Sequence, residues 1–338
     1  MAFLMKVTGF EWLDRNCDHN GRNDPEATAM QRWSGVGRWT AFSIGTLSLL
    51  LALGNVFASE GGQTHYPVGV NTIMNGLLPP PGETELFNYS QYYGSTRFNG
   101  DNGRQAISDF KANVVAWAPR IAHTWTARIG PFFLASTLAT PMSRVDIRAF
   151  GKRDISSGFG DPDLSPVLLY YVNESKTFFA YVGPDIYIPI GRYDKNRMAN
   201  NGLNYWTIAP NAMFTWMPNS RLEVSGTIYS EFNFKNNATN YRSGNDVVID
   251  FGVGYRPVKS VPNLKVSIQG FALNQFSDDE IGGAIIDGKR GRAFGLGPQI
   301  SIDIAHGKGG IVLKYQREFG VRNRAQGDKF WFELAVPI

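Results

Sequence analysis

The chain has 338 residues, of which 43% are hydrophobic, 13% aromatic and 18% charged. Its 33 basic and 29 acidic residues leave a net charge of +4, too mild for a nucleic-acid-binding surface. A single cysteine, Cys17, excludes a disulfide framework, and four histidines leave little material for a metal centre.

In chain order, Arg32 and Arg38 precede an apolar run from Ala41 to Leu53, and Val56, Phe57 and Ala58 follow. Small residues stand at the two positions that a signal peptidase reads, so the pattern predicts a secretory signal with cleavage after Ala58. The run falls short of the roughly 20 residues that span a bilayer as a helix. Met30 opens this signal, so residues 1–29 read as an upstream start. Cys17 lies in the removed part, which leaves residues 59–338 without a thiol. Residues 59–83, with Pro79-Pro80-Pro81-Gly82, read as a periplasmic tail or a lumen plug, and Ile73, Leu77 and Leu78 give a plug something to pack with.

From residue 84 onward the chain alternates apolar and polar residues in short segments, the period of a strand. In the cleanest segment Phe294, Leu296, Pro298, Ile300, Ile302 and Ile304 share one face, with Gly295, Gly297, Gln299, Ser301 and Asp303 between them. Candidate strands fall at 84–97, 108–119, 124–138, 158–172, 176–190, 204–217, 220–234, 244–257, 263–276, 291–305, 309–323 and 327–338. Long connections (98–107, 139–157, 191–203, 235–243, 277–290) alternate with short ones such as 173–175, 218–219 and 306–308, while 324–326 breaks the pattern by being short. An even strand count with long outer loops and short periplasmic turns predicts an all-β, antiparallel transmembrane barrel over 84–338, about twelve strands, both termini periplasmic. Unpaired backbone is not tolerated in lipid, so the sheet must close, and an alternating final strand suits closure onto the first. The last residue, Ile338, replaces the aromatic with which such barrels usually end.

Three details test this reading. Arg317 falls on an apolar face, where it would snorkel. The apolar face of 263–276 switches between Ile268 and Phe271, which would need a bulge. Pro131, Pro184, Pro189, Pro210 and Pro298 fall inside predicted strands, where each costs a ladder bond. Tyr205, Trp206, Trp216, Trp117, Trp125, Phe330 and Trp331 lie near strand ends, as an interfacial aromatic girdle requires.

Several stretches resemble one family. They include Glu60 to Gly69, Gly76 to Gly82, Tyr89 to Tyr93, Gly158 to Leu164, Gly183 to Gly191 with Tyr193-Asp194, Asn204 to Thr207, and Phe232 to Gly244. The family is labelled as the meta-pathway of phenol degradation. Its members are exported bacterial proteins treated as outer-membrane channels or transporters. The resemblance spans nearly all of the exported chain and implies passage of small hydrophobic or aromatic compounds, since the label derives from neighbourhood in aromatic-degradation pathways. It brings no established binding residue.

By parity the lumen receives Asp185, Glu223, Glu231, Asp250, Arg256, Asp303, Lys314, Glu318 and Glu333, a set in which acids outnumber bases. They read either as a charged constriction that selects solutes or as paired charges that fill and stiffen a narrow barrel. Asp161 and Asp163, in a Gly/Pro-rich turn, read as caps of backbone N–H groups more readily than as a calcium site. His65 precedes the barrel, and His123 and His306 fall at short turns, so no histidine stands at the long-loop rim where a lipid-modifying enzyme would need one. The expected function is an outer-membrane channel or transporter, and an adhesion barrel without transport is the alternative. Expected partners are outer-membrane lipid, the barrel assembly machinery and a small hydrophobic or aromatic solute, with no cofactor and no nucleic acid.

Overall fold

The computed structural model describes residues 62–304 and 309–338. The signal peptide, Met30, Cys17, the N-terminus and His306 lie outside the described residues. Twelve strands close into one antiparallel ring. In ring order they are β1 (Thr84–Asn99), β18 (Ala325–Pro337), β17 (Gly309–Arg322), β16 (Arg292–Ile304), β13 (Leu264–Gln275), β12 (Asp246–Tyr255), β10 (Leu222–Asn233), β9 (Thr207–Trp216), β8 (Phe178–Tyr187), β7 (Asp163–Val172), β4 (Phe132–Ala139) and β3 (Lys111–Ile129). First and last strands pair from Glu85↔Pro337 to Phe98↔Ala325, and β1 also pairs with β3, so the ring has no open edge. Beyond the ring, β5 (Met142–Ala149) and β6 (Lys152–Phe159) continue β4 and β7 as a hairpin, and β2 (Gln105–Ile107) caps the end of β1. At the same end, β11 (Tyr241–Arg242), β14 (Asp279–Ile281) and β15 (Ala284–Ile286) form a small separate sheet.

The alternation is inside-out. Ile228, Ile249, Phe251, Val253, Ile268, Leu313 and Phe332 are exposed, while Glu223, Glu231, Asp250, Lys265, Gln269, Gln299 and Gln316 are buried. An apolar outer belt on a closed barrel is the arrangement of a bacterial outer-membrane protein, because lipid replaces water against that face. Ile228, 56% exposed in the middle of β10, tests the belt. Ile228→Arg is expected to lower the free energy of folding into lipid vesicles by about 2–4 kcal/mol, the cost of a cation at mid-bilayer. A urea titration of vesicle-folded protein would read it, and an unchanged midpoint would count against a lipid-facing β10.

Four expectations need correction. The turn expected at 120–123 is absent: β3 runs on to Ile129, and the chain reverses at Gly130-Pro131, where Gly130 has φ +58°. Pro131 therefore sits in the turn, and His123 sits in β3, where its ring bonds Thr84 Oγ1 at 2.8 Å. The expected loop 139–157 is largely the β5–β6 hairpin, turned by Phe150 and Gly151, both at positive φ. Its outer rungs carry Arg144, Asp146, Arg148 and Arg153 because they stand beyond the belt.

The expected bulge in β13 is also absent, since β13 pairs without a register shift on both sides. Phe271 simply points inward, at 1% exposure. A Cβ on Gly295 would lie 2.1 Å from the Phe271 ring, so the ring occupies the space a side chain there would need. Finally, Tyr205 and Trp331 are buried inside, whereas Trp117, Trp125, Trp206, Trp216 and Phe330 face outward.

Of the remaining prolines, Pro189 lies past the end of β8, and Pro184 and Pro210 stand opposite each other across β8 and β9. The ladders on their far sides are interrupted, between Leu164 and Leu169 on β7 and between Tyr229 and Phe232 on β10. The two missing N–H donors thus coincide with rungs that are not made. Outward Arg317 pairs with Asp328 at 3.5 Å.

Candidate functional site

The segment from Gly62 to Glu83 runs down the inside of the barrel. It starts beside Asn323 at the long-loop end and reaches the short-turn end, where the Gly82 N–H bonds Thr124 O. Apolar residues bury it: Tyr66, Val68, Val70, Ile73 and Leu78 are each at most 8% exposed. The segment adds no strand to the sheet. While the N–H groups of Val68, Val70, Leu77 and Glu83 bond carbonyls within the segment, six of its backbone N–H groups go instead to side-chain oxygens of the wall.

Three inward carboxylates on β10 and β12 take most of them. Glu231 accepts the His65 and Tyr66 N–H groups at 3.2 and 2.5 Å. Asp250 accepts the Gly69 and Asn71 N–H groups, each at 3.1 Å, and the Tyr66 hydroxyl at 2.7 Å. Glu223 accepts the Met74 N–H at 2.7 Å. Donors on β17 and β18 meet the segment's carbonyls: Lys314 bonds Val70 O, Gln316 bonds Gly69 O at 2.9 Å, and Lys329 bonds Val68 O at 2.9 Å. Negative side chains on one wall and Lys314, Gln316 and Lys329 on another thus meet N–H and C=O groups of the same backbone, and the bonds made by the carboxylates and lysines are strengthened by charge.

Two glycines allow the close approach. A Cβ on Gly252 of β12 would lie 2.4 Å from Thr72 O, and one on Gly76 would lie 2.4 Å from the Thr215 N. Above them, Tyr66 stacks on Tyr229 with centroids 4.1 Å apart, and the Tyr229 hydroxyl bonds Asp185 at 2.9 Å. Ser165 donates to the other Asp185 oxygen at 2.5 Å.

At the long-loop end His65 is clamped between Asp161 (Nε2 to Oδ2, 3.1 Å) and Thr207 (Nδ1 to Oγ1, 2.9 Å). Its ring stacks on Tyr187 at 4.7 Å. His65 is therefore inside the barrel, near the rim from which the sequence reading excludes every histidine. Both ring nitrogens are engaged and the side chain is 3% exposed, so it meets no accessible hydroxyl.

Asp161 lies in the connection between β6 and β7. It also accepts the Gly191 and Leu203 N–H groups, at 2.8 and 2.6 Å, the capping role that the turn composition implied. Burial raises the Asp161 pKa, but the His65 bond and charge and these two N–H groups outweigh it, and the carboxyl is held below the usual range. A depressed carboxyl stabilises above its unfolded pKa, and that stability is lost as pH falls through the folded value. Acid is therefore expected to release the His65 end only below the usual carboxylate range. In Asp161→Asn the end should be looser already at neutral pH. Protease nicking ahead of Tyr66 against pH would show this, and identical profiles would remove Asp161 as the clamp.

The charged residues expected in the lumen are ion-paired or, for Asp185, Glu231 and Asp250, hydrogen-bonded. Glu333 meets Lys314 at 2.6 Å and Glu318 meets Lys329 at 3.2 Å. Arg256 and Asp303 meet each other at 2.7 Å, at the short-turn mouth. The predicted set omits Lys265, which pairs with Glu223, and Lys329; adding them narrows the acid excess but does not remove it. Parity within β13 and β18 was the signal that could have found both, since they share the inward face with Ser267 and with Trp331. The anchoring roles of His65 and Tyr66 had no comparable signal.

A cavity of about 560 Å³ remains at the short-turn end, between the segment and the wall. Leu77, Leu78 and Pro79 to Pro81 form its roof, and Phe87, Phe133, Tyr170 and Phe179 are among its walls. The Arg120 guanidinium lies there too, 5.8 Å from the Phe87 ring centre.

Comparison with known proteins supplies the remaining findings. The family described as "Putative MetA-pathway of phenol degradation" matches residues 95–334. An outer membrane channel from Pseudomonas putida F1 has a similar structure, with a TM-score of 0.69 and 17% identity over 78% of this chain and 98% of that one. The β domain of the Bordetella autotransporter BrkA is more distant, with a TM-score of 0.44 and 10% identity over 76% of this chain and 99% of that one. No curated protein sequence matches.

Proposed function

The chain belongs to the family described for the MetA-pathway of phenol degradation, and on that premise we propose that it is an outer-membrane channel for small hydrophobic or aromatic compounds, gated by residues 62–83. The observation that carries this reading is the way the inner segment is held. Ahead of the Gly82–Thr124 backbone bond that ties its short-turn end, its contacts with the wall are side-chain hydrogen bonds and apolar packing, which can be released without breaking a rung of the barrel. The aromatic walls of the cavity beneath it, Phe87, Phe133, Tyr170 and Phe179 beside Arg120 and Glu85, suit a small ring compound that enters or leaves on the periplasmic side. In the opposite direction, a solute from outside would have to displace the segment first.

Uptake tests the proposal. Cells lacking the protein are expected to take up a labelled small aromatic, such as phenol or toluene, more slowly than cells carrying it. Cells carrying the chain without 62–83 should take it up faster and also admit hydrophilic sugars of similar size. Equal uptake by all three would overturn the proposal.

A further inference from the structure

The register of β3, β5 and β6 lines up four cations on the outward face, just beyond the apolar belt at the long-loop end. Rungs can be followed outward from the belt. Trp117, Met142 and Phe159 form one rung, and Val115, Arg144 and Ser157 the next. Asn113, Asp146 and Ile155 follow, and then Lys111, Arg148 and Arg153. Trp117, Val115 and Phe159 are exposed apolar residues, so this face is continuous with the lipid-facing belt. Lys111, Arg144, Arg148 and Arg153 are all exposed.

Arg148 stands directly between Lys111 and Arg153, and like charges opposite one another destabilise a sheet. Asp146 takes a two-pronged bond from Arg153, at 2.9 and 2.6 Å. Asp109 is engaged with the Phe150 and Gly151 N–H groups at the hairpin tip. Four cations against these two carboxylates leave a net +2 on a rigid, twisted surface. At about 3.3 Å per residue along a tilted strand, the last rung stands on the order of 10 Å above Val115, far enough to rise out of the acyl layer into the roughly 5–8 Å of headgroups.

We propose that Lys111, Arg144, Arg148 and Arg153 form a binding site for the phosphate groups of an outer-leaflet lipid, whose acyl chains lie against Trp117, Val115 and Phe159. Arginine forks grip phosphate oxygens in two-point bonds, and the anion relieves the repulsion along the Lys111–Arg148–Arg153 rung. The lipid chemistry is a phosphorylated acylated sugar or glycerol; the outer leaflet of such a membrane supplies lipid A.

The test is native mass spectrometry of the detergent-solubilised protein with lipid A, with dephosphorylated lipid A and with inorganic phosphate. Lys111→Ala and Arg148→Ala are each expected to weaken lipid A binding about fivefold, and the double variant roughly 25-fold, the scale of one basic residue at an anionic surface. Arg290→Ala, an exposed arginine on another loop, should leave binding unchanged. Dephosphorylated lipid A should bind weakly to all of them, and millimolar phosphate should not compete. The site is overturned if the double variant binds like the parent, or if removing the phosphates costs nothing. It is a free-anion site and not a lipid site if inorganic phosphate competes fully. Heat-modifiable gel mobility shows that each variant is folded.

Discussion

Asp250→Ala is expected to convert a closed barrel into one that opens in bursts. Asp250 sits in the middle of β12 with no exposed surface and receives the Tyr66 hydroxyl and the Gly69 and Asn71 N–H groups. Removing it strands three donors, two buried and one part-buried, at about 1–3 kcal/mol each. The docking of residues 62–83 should weaken by roughly 3–9 kcal/mol, or at least a hundredfold in the undocked population at about 1.4 kcal/mol per factor of ten. The β12 ladders to β10 and β13 use backbone groups and are untouched.

Single-channel conductance in a planar bilayer reads the effect. The parent should be mostly closed, Asp250→Ala should open in discrete steps, and the chain lacking 62–83 should stay open at the larger step. Asp250→Asn, which keeps one acceptor oxygen, should fall between. Silence from both the alanine variant and the deletion, with the protein shown to be folded, would sink the gate.

Glu223→Ala should produce the largest loss of stability. Its partner Lys265 is 1% exposed, and the other Glu223 oxygen holds the Met74 N–H. Breaking a buried pair leaves an uncompensated ammonium, at about 3–5 kcal/mol. Replacing both, Glu223→Met with Lys265→Met, removes the charge problem and should recover most of that loss. The double variant still lacks the acceptor for Met74, so it should be a stable barrel with a loosened inner segment. Urea unfolding from vesicles and channel activity therefore separate the two roles. If the double variant is as unstable as the single, Lys265 is not the stranded charge.

The strand count could be read without a structure because period-two alternation survives wherever one face meets lipid and the other does not. It failed at 120–123 and 139–157 for one reason. Around residues 120–123, Arg120 and His123 interrupt an otherwise apolar strand, since Arg120 lines the lumen cavity and His123 bonds Thr84. In β5 and β6 the charges are tolerated because their rungs stand beyond the belt. Alternation reports where lipid is, and reports a strand only by way of it.

The sequence by itself determined a closed, inside-out barrel of twelve strands and an inner face rich in carboxylates, because lipid imposes a repeating local rule on every strand. Only the tertiary structure decided what those carboxylates do. Glu231, Asp250 and Glu223 lie on two neighbouring strands, and the backbone they hold, 65–74, is more than a hundred residues earlier in the chain. Their spacing matches successive N–H groups only after the ring has closed. Lys265 pairs with Glu223 from the neighbouring β13, and Lys314 and Lys329 meet carbonyls of the same backbone from β17 and β18 by the same closure. No local pattern encodes that match, because hydrogen-bond complementarity between distant segments depends on register around the whole ring.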